Sequence, residues 1–256
     1  MDYPLLVFLI SFVVLRMSMW LGEVIRRKGQ SPEADTRADL NIILTATLTL
    51  LGLIIGFCFS MAIGRYDQRK DYEEAEANAI GTEYVRADLL AAEDAPKLRA
   101  LLRNYLDQRV LFYKTRDSQK IVQINAVTTR LQAQMWSAVL PRSAAQQTPT
   151  FTLAVAGMND VLNSQGYTQA AWWNRIPVAA WVLMLAIATC CSMMLAYGAQ
   201  RYKAERTLLT ILPFVVSISF FLIADIDSPR GGVIRVHPQN LESLVDQLRP
   251  SGVLVR

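Results

Sequence analysis

The chain has 256 residues, 52% of them hydrophobic and 19% charged, with a net charge of +4. The apolar residues gather into four stretches almost free of charge, which excludes an ordinary soluble globule, and the small basic excess beside them fits the positive-inside bias better than a nucleic-acid partner. One histidine (His237), three cysteines that all fall inside apolar stretches (Cys58, Cys190, Cys191), and no phosphate loop, dinucleotide fingerprint or nucleophile elbow leave no catalytic residues, metal ligands or cofactor to assign.

The first stretch covers about residues 4–22. Its opening, "MDYPLLVF", lacks a positive n-region, and no small-residue cleavage site follows, so it is expected to be a retained transmembrane helix rather than a signal peptide. Arg16 lies within it, either snorkelling towards the interface or acting as an intramembrane charge. The second span covers about residues 41–64, and roughly 20 apolar residues suffice to cross a bilayer. Thr45, Thr49, Gly52, Gly56 and Ser60 fall within a sector of about 80° on a helical wheel, and Gly64 continues the fourfold spacing. Beside this stripe runs an i+4 row of Ile55, Phe59 and Ile63. The stripe either packs against the other spans, as small residues do in lipid, or faces the axis of an oligomer. In the second case the Ile/Phe row forms a pore constriction that gates by dewetting, and the hydroxyls serve a partly hydrated ion.

After Gly64 the chain reads "RYDQRKDYEEAEANAIGTEYVRADLLAAED", rich in helix formers and without proline until Pro96. The second span is therefore expected to continue as one helix to about Leu90, bent near Gly81; fifty residues would measure about 75 Å. Asp94 and Pro96 mark the cap and first turn of a helix carrying Leu98, Leu101, Leu102, Tyr105, Leu106 and Phe112. The next carries the seam Ile121, Ile124, Thr128, Leu131, Met135 and Ala138, and Pro141 ends it. Thr148 and Pro149 open another, with Leu153, Val155, Met158, Val161 and Leu162, which "NSQGY" closes. Trp172 and Trp173 suit either an interfacial belt or bundle packing.

The third and fourth spans cover about residues 177–199 and 207–225. "FLIADIDSPRGGVIRV" puts Asp225 and Asp227 at the membrane boundary, either as an aqueous helix end with a turn or as a structural clamp in which Asp225 pairs with Arg65 or Arg69. "GGVIRVH" reads as one short strand. The expected fold is an all-α membrane protein: a first transmembrane pair (1–64), an extramembrane helical bundle (65–175), a second transmembrane pair (176–226) and a C-terminal tail (227–256).

The two short loops, 23–40 and 200–206, carry Arg26, Arg27, Lys28, Arg37, Arg201, Lys203 and Arg206; the opposite side carries Arg65, Arg69, Lys70, Arg175, Arg230 and Arg235 near span ends. Seven against six favours cytoplasmic short loops, with the middle domain outside, in a bacterial inner membrane.

"GFCFSMAIGRYDQRK…EEAEANAIGTEYVRADLL" and "FLIADIDSPRGGVIRV" resemble the bestrophin-like proteins of bacteria and plants, over nearly the whole chain in layout. The resemblance implies kinship with true bestrophins, pentameric anion channels whose second span lines the pore with apolar residues four apart; Ile55, Phe59 and Ile63 are similar in type and spacing. The acidic calcium cluster of animal bestrophins has no counterpart here, and bestrophins place the helical middle in the cytoplasm, opposite to the charge count. Two functions follow as expectations: a homo-oligomeric channel for small anions in the lipid bilayer, or a membrane-anchored scaffold that does not conduct.

Overall fold

The structure is a computed structural model that describes residues 3–28, 34–140, 149–199 and 202–249. Among them every regular element is helical: α1 (Pro4–Lys28), α2 (Ala34–Arg86) with a short 3-10 turn (Ala87–Leu89), α3 (Ala95–Lys114), α4 (Ser118–Ala138), α5 (Pro149–Trp173), α6 (Val178–Gly198), α7 (Tyr202–Asp227) and α8 (Gln239–Leu248). Helical stretches long and apolar enough to cross a membrane lie at Pro4–Lys28, Thr36–Leu89, Pro149–Gly198 and Thr207–Asp227. The chain is an all-α, multi-pass membrane protein. It divides into two compact units, Met1–Tyr66 with Arg175–Arg235, and Asp67–Asn174 with Val236–Arg256.

In the first unit α1 lies against α6 and α7. Ser11, Leu15, Ser18 and Gly22, spaced i, i+4, i+7, i+11, are its buried face. Small side chains let the backbones close: Ser18 Oγ donates to the Thr189 carbonyl at 2.7 Å, and a Cβ at Gly22 would collide with the Met193 carbonyl oxygen. Leu15, Leu51, Cys58, Met184, Phe220 and Ile223 form the core. Arg16 donates to Thr210 Oγ1 of α7 at 2.8 Å. Cys58, Cys190 and Cys191 are free thiols.

The second unit is built on the latter part of α2, which runs unbroken for 53 residues to Arg86. Gly81 does not interrupt it; a Cβ there would meet Leu244 of α8 at 3.2 Å, so the glycine admits a close helix–helix approach. Leu98, Leu102, Tyr105, Leu106 and Phe112 of α3, and Ile124, Thr128, Leu131 and Met135 of α4, are buried. Pro96 sits in the first turn of α3, and Asp117 caps α4 by accepting from the Gln119 N–H at 2.8 Å. Thr148 and Pro141 lie outside the described residues. The expected end of α5 at "NSQGY" is wrong. The helix passes through Gly166 to Trp173 because its last turns bury Thr168, Ala171 and Trp172, and that packing outweighs the roughly 1 kcal/mol propensity cost of one glycine. Trp172 meets Phe112 at 4.9 Å and Tyr113 at 5.4 Å between ring centroids, whereas Trp173 is 74% exposed.

The face of α2 turned into this unit is charged as much as apolar. Arg69, Glu73, Glu76, Ile80 and Glu83 recur by three and four and are all buried. Glu76 and Arg109 form a fully buried ion pair. Thr168 and Tyr113 hydroxyls also donate to Glu76, at 3.1 and 3.4 Å, and the Arg109 guanidinium lies 4.4 Å from the Phe112 ring centroid. Glu73 accepts from Asn240 Nδ2 at 2.7 Å and the Leu241 N–H at 2.9 Å. It thereby caps α8, whose own N-cap residue, Pro238, offers no side-chain acceptor. Burial pushes the Glu73 carboxyl up, and those hydrogen bonds pull against it.

Breaking a buried ion pair strands a charge, so Arg109→Ala should cost about 3–5 kcal/mol. The readout is a lower thermal midpoint of the purified protein, and the paired replacement Glu76→Met with Arg109→Met should recover most of it.

Candidate functional site

Between Asn41 and Tyr66, α2 buries only Leu51, Cys58 and Ala62 among the described residues. At about 100° per residue these three lie on one side of the helix, and Thr49, Gly56, Ser60 and Gly64 lie opposite. Thr45, Thr49, Gly52, Gly56, Ser60 and Gly64 are all exposed. A Cβ built at Gly52, Gly56 or Gly64 would touch nothing within 4 Å. The stripe is therefore not the surface by which α2 packs on α1, α6 or α7; the small-residue seam that does such work belongs to α1. Thr45 and Thr49 hydroxyls donate to the carbonyls of Asn41 and Thr45 at 2.8 and 2.9 Å. That leaves each hydroxyl oxygen able to accept on the open face.

The neighbouring row divides. Phe59 and Ile63 are 37% and 39% exposed, on the bare side. Ile55 is half-buried and leans on the core of its own unit. The sequence spacing treats the three alike, but with a period of 3.6 an i+4 row drifts around the helix by about 40° per step. The drift carries Ile55 towards Leu51 and Ala62.

The second feature is the end of α7. Asp227 lies 3.5 Å from the Arg65 guanidinium, and both its oxygens lie 3.2 Å from the Ile176 backbone nitrogen. Among the described residues Asp225 is held by backbone donors. Its two oxygens accept the N–H groups of Val233 and Ile234, each at 2.8 Å. Ser228 Oγ accepts the Gly231 N–H at 3.0 Å, and a Cβ at Gly232 would clash with the Asp225 carbonyl. Asp225, Asp227 and Ser228 are buried. "DIDSPRGG" is thus a compact return loop closed on Asp225, with Asp227 tying the end of α7 to Arg65 and Ile176. The segment expected as a strand, 231–237, is not one: two of its N–H donors are taken by Asp225 instead of a neighbouring strand. Arg69, the other expected clamp residue, belongs to the second unit, where its side chain is buried.

Sequence reasoning placed the turn at Ser228 to Gly232 but missed Ile176 as the partner of Asp227, and Glu76 with Arg109 in the bundle. For the bundle a signal existed: the i, i+4, i+7 recurrence of Arg69, Glu73 and Glu76 marks one face. Polar residues at helical spacing are read by default as solvated, so the pattern pointed outward.

Comparison with known proteins gives a consistent likeness. The family model for a bestrophin-like domain matches residues 9–241. Among curated proteins none matches. A solved bacterial bestrophin homologue from Klebsiella pneumoniae is similar in fold, with a TM-score of 0.63 at 13% identity, covering 95% of this chain and 96% of that one. Two single-substitution variants of that homologue give TM-scores of 0.62 and 0.65 at 12% and 11% identity, each covering 96% of this chain.

Removing the Asp225 carboxylate takes the acceptor from two part-buried N–H groups, a loss of about 3 kcal/mol at 1.5 kcal/mol per charge-assisted bond. Asp225→Ala should accordingly open the return loop, read as faster tryptic cleavage after Arg230 and Arg235 in the native protein.

Proposed function

Because this chain belongs to the bestrophin-like family and leaves the stripe face of its second span bare, we propose that it is a homo-oligomeric channel for small anions. Copies of α2 stand around a shared axis, five of them if the true bestrophins are a guide. Phe59 and Ile63 project into the conduction path and constrict it, with Ile55 at its edge. The Thr45, Thr49 and Ser60 hydroxyls line the wider part, where a partly hydrated anion keeps waters that donate to the hydroxyl oxygens. The family is not an enzyme family, and no step of this reading needs a cofactor.

The observation that carries the proposal is the empty space beside Gly52, Gly56 and Gly64. In lipid, apolar contact alone gives no advantage to a neighbouring helix, and association relies on close backbone approach at small residues. A span whose small residues are unused within the protomer has that capacity left for other copies. The return loop closed on Asp225, with Asp227 beside Arg65, fixes the end of α7 in the unit that would form the ring. A non-conducting scaffold needs no such unpacked face.

The host membrane is a bacterial inner membrane. The basic residues of the short loops favour a cytoplasmic position for them, the reverse of the bestrophin layout; reporter fusions at either terminus decide between the two.

Reconstituted into planar bilayers, the protein should pass chloride, and Phe59→Ala should raise the unitary conductance or leak severalfold. An intact oligomer that stays silent with and without that substitution would overturn the proposal.

A further inference from the structure

We propose that Glu83 is a proton-operated latch: neutral, it lets α5 close on the end of α2, and ionised, it loosens that contact. Glu83 is fully buried, and among the described residues neither carboxylate oxygen has a hydrogen-bond partner. It is seated against the bare α-carbon of Gly157 on α5, where a Cβ would collide with Glu83 Oε2 and Arg86 Nη1. The charged groups that face it are Arg86 on its own helix and Asp160 on α5. Arg86 offsets the cost of burial only in part: among the described residues the two form no ion pair, and Arg86 Nη1 donates to the Leu153 carbonyl at 3.4 Å. Glu83 also stands in the last turn of α2, where the unsatisfied carbonyls disfavour a negative charge. A buried carboxylate with no donor is among the costliest groups a core can hold, whereas the neutral acid costs far less.

The electrostatics agree in sign. Burial raises the Glu83 carboxyl from 4.5 to about 8, with Arg86 opposing the rise and Asp160 adding to it. The closed contact therefore keeps its proton up to about 8, while an opened, hydrated Glu83 loses it near 4.5. Closure is complete at low pH, weakens as pH rises through that window, and levels off above it. The latch acts at the pH of ordinary cytoplasm or periplasm, and it biases one helix of the bundle rather than the whole fold.

The test is amide hydrogen exchange of the full chain in detergent, corrected for the intrinsic pH dependence of exchange. The α5 amides are compared with those of α4 as an internal reference. The opening of α5 should grow about tenfold per pH unit between about pH 6 and 8 and then level off. Glu83→Gln, which cannot ionise, should abolish the slope, and Glu83→Met serves as a second non-ionising variant should the amide fail to fold. A wild-type α5 whose protection follows that of α4 at every pH overturns the proposal without any variant, and so does a slope that survives in Glu83→Gln.

Discussion

One constraint organises this molecule: a membrane span that packs on a single side. In the first unit α2 meets its neighbours through Leu51, Cys58 and Ala62, with Leu48, Ile54 and Ile55 at the margin. The remaining face interleaves glycine, serine and threonine with exposed large apolar side chains such as Leu53 and Phe57. Its small residues leave room for the backbone of another helix to come close. The other spans show the contrast. α1 buries its own serines and glycine against α6, and exposes Leu5, Leu9 and Val13.

The second unit works by a different principle. Its core is threaded by charges on one face of α2, each tied to a different element: Glu76 to Arg109 on α3 and Thr168 on α5, and Glu73 to the start of α8. A buried ion pair gives little net stability compared with an apolar core of equal volume. Its effect is on register. A helix that slides by one residue would leave these carboxylates without donors, so the polar contacts select one alignment of α2 against its partners. Glu83 breaks the pattern, being equally buried without a donor, and that contrast within a single helix face is what marks it as a titrating site.

Much of this was legible in the sequence, for physical reasons that differ by element. The four apolar runs stand out because bilayer crossing demands length and continuity. The α4 seam through Ile124, Thr128, Leu131 and Met135 was readable because hydrophobic periodicity is preserved in a two-sided helix. Gly166 misled because propensity acts locally while Trp172 packs globally. Val233 and Ile234 looked like strand residues, but a strand needs a partner, and Asp225 supplied the acceptors first. The small-residue stripe was visible as a pattern; what it faces was not, since periodicity names a face and not its occupant. Only coordinates could show that space beside Gly52 and Gly56 is open.

The most direct test of the account is disulfide trapping in native membranes. Ser60→Cys is introduced into a chain whose Cys58, Cys190 and Cys191 have been replaced, and Leu183→Cys, on the exposed face of α6, serves as the control. If the bare side of α2 looks towards other copies, oxidation joins chains through position 60 and leaves position 183 unjoined. Chains that link through 183 while 60 stays reduced and freely alkylated would contradict it.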